Sequence, residues 1–301
     1  MKAGLFVNQG NHGDFNRWDA RSAWDRAIAV ARLAERHGFA ALWVPDHVAN
    51  MPGLEEPGGD FTLDAFVLLS AVALATTRPT VGHLVLCSPF RNPALVAKAI
   101  STVDVASGGR AVCGVGAGWN RREFDAYGVP FPAVGERLAI LREHLEVLSR
   151  MFGPGPASFA GERVRVENAP NEPKSADPGR RVPILVGGNG PNVTWRLAAQ
   201  FADELNLDYL TADQVAVALP ILRSRCEEID RDPDSLAVSV LGNFPDSRSG
   251  RIETLSRYRE LGLVRVDRID RRYAASDEPL LEYVDELHAA GVELATDELA
   301  Q

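Results

Sequence analysis

Two places in the sequence pair residues that can handle protons or anions with backbone that can be approached closely. The first is Asp46-His47, which follows the apolar run Leu42-Trp43-Val44-Pro45. A histidine changes charge near neutrality, and a carboxylate close to it can fix its tautomer or raise its pKa. Successive residues of an extended chain face opposite ways, so only one of the pair is presented to a given face. The second is Gly187-Gly188-Asn189-Gly190-Pro191, where an apolar run stops and a helical pattern starts. Glycines let an anion approach backbone N–H groups, and the helix that follows turns its positive end toward it. A tight strand-to-helix turn is the other reading, and the stretch matches neither a Walker loop nor a GxGxxG fingerprint.

A further glycine run, Gly114-Val115-Gly116-Ala117-Gly118-Trp119, can lay a flat ring against bare backbone with Trp119 as a wall, or pack tightly with Trp119 over the core. Among the other histidines, His12 lies in the first loop and is a candidate substrate contact. His37, His144 and His288 fall in helical patterns and His83 in a strand pattern. No His/Cys/Asp/Glu spacing suits a metal, and no Gly-x-Ser-x-Gly motif is present, so the expectation is no metal centre and no serine triad. Cys87, Cys113 and Cys226 are far apart and read as buried free thiols.

The elements that must position these residues alternate. Short apolar runs at 3–8, 40–44, 80–87, 110–116, 183–186, 203–207, 236–241 and 263–266 read as strands. Each is followed by an amphipathic run: 22–37, 63–77, from Pro93, from Glu136, after Pro191, 212–230, 252–261 and 280–290. Eight such units with apolar strands predict an α/β protein whose parallel sheet is covered by helices and closes as a (β/α)8, or TIM, barrel. A doubly wound open sheet is the alternative. Barrel active sites lie where strands end. Those positions here are Asn8-Gln9-Gly10, Asp46-His47, Cys87-Ser88, Gly116 to Trp119, Gly187 to Gly190 and Asn206. Two connections break the rhythm. Residues 153–181, Pro/Gly-rich, insert between the fourth helix and the fifth strand, with a hairpin signature in FAGERVRVENA. Residues 49–60 follow the second strand. Both are expected to cover the barrel mouth, 153–181 as a lid.

The length of 301 residues fits one domain spanning 1–301, and a net charge of −9 argues against nucleic acid as the main partner. No segment reaches the roughly 18 apolar residues of a membrane span, and the N-terminus lacks a signal-peptide pattern. A cytoplasmic protein acting on a small molecule is expected.

Taken together, the sequence resembles the luciferase-like monooxygenase superfamily, and within it the branch of coenzyme F-420-dependent oxidoreductases. The resemblance rests on GLFVNQGNHGDF (4–15), ALWVPDHV (41–48), the block 91–138 with its Asp104-to-Arg110 turn and YGVPFP, PILVGGNGPNVTWRLAAQFADELNL (183–207) and LSRYRELGLVRV (255–266). It implies a barrel binding a flavin or deazaflavin at its strand ends, with Asp46-His47 near the reactive ring and a homodimeric assembly. By the same resemblance, Gly187, Gly188, Asn189, Gly190 and Pro191 match the phosphate-gripping turn. Leu86, Cys87 and Ser88 match the third-strand end, where this family often carries a bulge and a non-proline cis peptide. Gly116, Ala117, Gly118 and Trp119 complete the expected cofactor wall. Trp119 lies where some deazaflavin-dependent dehydrogenases carry a glutamate, so their sugar-oxidising chemistry is not implied.

The implied activity is hydride transfer between coenzyme F-420 and a small organic substrate, with His47 and Asp46 managing the proton. An FMN-dependent monooxygenase and a non-catalytic flavin-binding barrel are the alternatives. Lys174, Arg180, Arg181 and Arg196 are candidates for an acidic cofactor tail.

Overall fold

The computed structural model describes residues 1–51, 53, 54 and 61–295. Its order begins β1 (Lys2–Phe6), α1 (Ala20–Arg36), β2 (Ala41–Val44), α2 (Ala65–Ala75), β3 (Thr80–His83), β4 (Leu86–Cys87), α3 (Pro93–Ser107) and β5 (Ala111–Gly116). It continues with α4 (Arg121–Ala126), α5 (Val134–Phe152), β6 (Ala157–Ala160), β7 (Arg165–Ala169), β8 (Ile184–Gly187), α6 (Thr194–Phe201) and β9 (Glu204–Asp208). Last come α7 (Ala212–Glu227), β10 (Ala237–Leu241), α8 (Arg248–Glu260), β11 (Arg265–Arg268) and α9 (Glu278–Ala289).

All strands but β6 and β7 form one parallel sheet in the order β3-β2-β1-β11-β10-β9-β8-β5-β4. The sheet closes because Val81 pairs with Ala111 and Gly82 with Val112, joining β3 to β5. That pairing removes the open-sheet alternative. β3 and β4 are two halves of one barrel strand, broken at Leu84–Val85, whose peptide bond is cis. The expected irregularity of the third strand is therefore present, just upstream of Leu86.

Local sequence explains the helix ends. Asp19 accepts the Ser22 amide at the start of α1, whose buried stripe is Ala23, Ala27, Val30, Ala31 and Ala34. Asn92 caps α3 ahead of Pro93, and Gly108 ends it in the left-handed conformation. β2 is buried along its whole length, as its unbroken apolar run requires. The short helix α4 is an element that periodicity did not expose.

The insertion forms the expected hairpin, β6 paired antiparallel with β7. Its turn is held by Glu143 of α5, which accepts from the amides of Glu162, Arg163 and Val164. The segment leaves α5 and enters β8, so both its ends lie at the N-terminal end of the barrel. Asp104 anchors its return by accepting from Ser175 Oγ, Ala176 N and Arg180. In the connection 49–60, residues 52 and 55–60 lie outside the described residues. Among the described residues no helix is long and apolar enough to cross a membrane.

Candidate functional site

A cavity of about 620 Å³ opens at the C-terminal ends of the strands, a size usual for small-molecule sites. Every barrel strand or its following turn contributes to it, from Phe6 at the end of β1 to Ile269 after β11. Asp46, His47, Leu86, Cys87, Gly116, Ala117, Gly118, Trp119, Gly187 and Gly188 all line it. Ser88, Asn189, Gly190 and Pro191 do not, and no residue of 153–181 does.

His47 is held from three sides. The buried Gln9 donates to the His47 carbonyl at 2.8 Å and to that of Leu63 at 2.7 Å, fixing the backbone of the turn. The imidazole Nδ1 lies 3.0 Å from each oxygen of Glu123. Trp119 meets the ring edge-on with centroids 6.1 Å apart. Glu123, only 2% exposed, also accepts the Val48 amide at 2.8 Å. It arrives on α4, from which Arg122 donates to the Asn50 carbonyl, while Tyr127, just after the helix, donates to that of Val48. This six-residue helix and the tyrosine after it thus clamp the turn that carries the histidine. With the carboxylate at Nδ1, that nitrogen carries the proton. Nε2, which makes no hydrogen bond among the described residues, is the nitrogen left to give or take one.

Asp46 points elsewhere. Its side chain is wholly buried, and Oδ2 accepts from Cys87 N at 2.9 Å and from Arg91 at 2.5 Å. It fastens β4 to the second strand. Oδ1 is buried and unpartnered. Cys87, beside it, is a protonated thiol: burial and then the Asp46 charge push its pKa well up. His12 lines the same cavity. Burial lowers its pKa, with Asp14 opposing and His47 and Arg271 adding to the effect.

The glycines of β5 and β8 make room for one side chain. A Cβ on Gly116 would meet Val85 Cγ2 at 2.7 Å, and one on Gly187 would meet Val85 Cγ1 at 2.9 Å. Val85, at the cis peptide, therefore fills the space those strands vacate and faces the cavity. Gly188 has φ +132, and its N–H is already bonded to the Asn206 carbonyl. Asn189 bonds both backbone groups of Asp208, at 2.7 and 2.9 Å, tying the turn to β9. Among the described residues no bond is made by the amide N–H groups of Asn189, Gly190, Asn192, Val193 or Thr194. They form the available donor cluster at the start of α6.

Of the basic candidates, Lys174 donates to the carbonyls of Met151 and Gly155, Arg180 pairs with Asp104 and Arg181 with Asp203. All three sit at the opposite end of the barrel from the cavity, because they belong to the connection into the start of β8. Arg196 pairs with Glu228.

Residues 1–263 match the family model described as luciferase-like monooxygenase. The chain belongs to that family. Within it, an uncharacterised protein of Mycobacterium tuberculosis (strain ATCC 25618 / H37Rv) is 34% identical over 60% of this chain and 67% of that protein. The F420-dependent glucose-6-phosphate dehydrogenase of Nakamurella multipartita is 32% identical over 69% of this chain. The 5,10-methylenetetrahydromethanopterin reductase of Methanopyrus kandleri is 28% identical over 73%. The matches span 59% and 63% of those two enzymes. Among solved structures, an F420-dependent secondary alcohol dehydrogenase in complex with an F420-acetone adduct superposes with a TM-score of 0.76 at 18% identity, covering 96% of this chain and 99% of that one. At that identity the likeness shows the barrel fold alone.

Proposed function

We propose that this protein is an oxidoreductase that moves a hydride between deazaflavin coenzyme F-420 and a small organic molecule. The observation that carries the reading is the His47–Glu123 pair in the wall of a cavity to which every barrel strand contributes. The names of the F420-dependent relatives agree with it. The residues fit such a group. The cavity has room for a fused ring, Val85 and Ala117 offer an apolar rest for its face, and the donor cluster at Asn189 to Thr194 suits a phosphate.

The bound deazaflavin supplies or receives the hydride, and the chain supplies everything around it. His47 Nε2 gives a proton to the substrate oxygen as the hydride arrives, or takes it in the reverse direction. Glu123 holds the ring in the competent tautomer and stabilises the imidazolium. Asp46 is a positioning residue that holds the β4 end through Cys87 N. Trp119 walls the substrate side.

The deciding experiment titrates the protein with oxidised F-420 and with FMN, following fluorescence. Preferential binding of F-420, then turnover of its reduced form with a carbonyl-compound panel, supports the reading. Preference for FMN would move the protein to oxygen-dependent chemistry, and binding without turnover to a flavin-holding barrel.

A homodimer is part of the proposal. Val67 and Leu74 on α2 and Leu95 on α3 are 59%, 72% and 70% exposed, an apolar face suited to a second copy. Light scattering on the wild type and Leu74→Glu tests it: dimer and monomer respectively support it, and a monomeric wild type removes it.

A further inference from the structure

The floor of the cavity holds an amide whose orientation is fixed by its neighbours. Asn206 on β9 is 3% exposed and lines the cavity. Its Nδ2 donates to Ser239 Oγ at 2.8 Å and to Asp267 Oδ2 at 3.0 Å. The Ser239 hydroxyl gives its proton to Glu204 Oε1 at 2.5 Å, so toward Asn206 it can only accept. Asp267 accepts on its other oxygen from Trp43 Nε1 and from Arg265 Nε, each at 2.7 Å. Turning the amide over would therefore set its oxygen against two acceptors. Arg265 braces the set by bridging Glu204 and Asp267 while lying 4.6 Å over the Trp43 ring.

The amide oxygen, Oδ1, is the end left over. It bonds to no described residue and is not among the sealed, unpartnered atoms, so it is open to the cavity. Behind it stand two carboxylates against one guanidinium. A fixed acceptor there favours a ligand edge that donates a hydrogen bond.

We propose that Asn206 Oδ1 reads the ligand by accepting a hydrogen bond from a ring N–H. This rests on the proposed cofactor, whose pyrimidine edge carries an imide N–H that flavins share. Asn206 is then a positioning residue for the cofactor: it sets how deep and at what angle the ring sits, while His47 and Trp119 act above it.

The test uses the full chain and measures dissociation constants by fluorescence for a deazariboflavin and its N3-methyl derivative, and for riboflavin and 3-methylriboflavin. The wild type is expected to bind the parent of one pair at least about tenfold more tightly than the methylated form, the effect of a lost buried hydrogen bond. Asn206→Ala, with its melting temperature checked, is expected to bind both members of that pair within about twofold of each other. Equal binding of parent and methyl derivative by the wild type overturns the proposal, whether or not the variant folds, and so does undiminished discrimination in Asn206→Ala. Discrimination within the flavin pair alone keeps the role of Asn206 and removes the deazaflavin reading. Binding of none of the four removes both.

Discussion

His47 and Glu123, 76 residues apart in sequence, meet with Nδ1 equidistant from the two carboxylate oxygens at 3.0 Å. The carboxylate is buried and also holds the Val48 and Ala49 amides, so the histidine cannot turn without undoing its own loop. His47→Gln is expected to lower kcat by about 10²- to 10⁴-fold, the range for loss of a general acid–base, with the cofactor dissociation constant little changed. Glu123→Gln is expected to cost less in kcat and to leave the fold intact. Steady-state kinetics beside a binding titration separate the two, and a His47→Gln enzyme of full activity would remove the dyad from the chemistry.

The Val85 wedge predicts a rescue. Gly116→Ala brings a methyl to 2.7 Å from Val85 Cγ2 and is expected to destabilise by about 1–3 kcal/mol, as overpacking does. Adding Val85→Ala opens that space, so the double variant is expected to be more stable than Gly116→Ala alone. Urea unfolding of the three proteins measures the coupling, and purely additive effects would place the crowding elsewhere.

Acid sensitivity follows from two histidines kept neutral. Burial lowers the pKa of His83, and separately of His144, to about 4. An unfolded histidine titrates near 6.5, so between about 6.5 and 4 the unfolded chain takes up protons that the fold refuses. Stability is full above that window and falls as pH drops through it, by roughly 3 kcal/mol per histidine once below about 4. His144→Gln is expected to flatten the fall in unfolding free energy over this window. A curve parallel to wild type would show that His144 titrates alike in both states.

Glu143 is the cap of the hairpin turn, since three amides of 162–164 depend on its carboxylate. Glu143→Ala is expected to loosen that turn and speed tryptic cleavage after Arg163 or Arg165 by tenfold or more, with little change in cofactor binding. Limited proteolysis read by mass spectrometry gives the site and the rate.

The barrel was legible because its strands are unbroken apolar runs and its helices carry one apolar stripe, features that survive without knowledge of partners. Asp46 and His47 stood out by type, but their division of labour did not. The side chain of one faces Arg91 and Cys87, that of the other Glu123. Glu123 itself was hidden, because α4 is a six-residue helix after a glycine-rich strand end and its glutamate looks like any first-turn acid. The one local signal was Asn120 followed by Glu123, a helix-start pattern. Gly116 and Gly187 were read as space for a ligand, whereas their nearest neighbour is Val85. The set Glu204–Asn206–Ser239–Arg265–Asp267 is spread over three strands, and only their register brings it together.

That same set has a consequence for traffic. Beneath Asn206 the barrel is plugged by Arg265, Asp267 and Trp43, which are 8%, 0% and 0% exposed, so among the described residues the cavity is closed at that end. Whatever rests on the floor goes in first and comes out last, and a second molecule above it bars its exit. For the proposed two-ligand reaction this predicts an ordered cycle, in which the deep occupant precedes the shallow one and outlasts it.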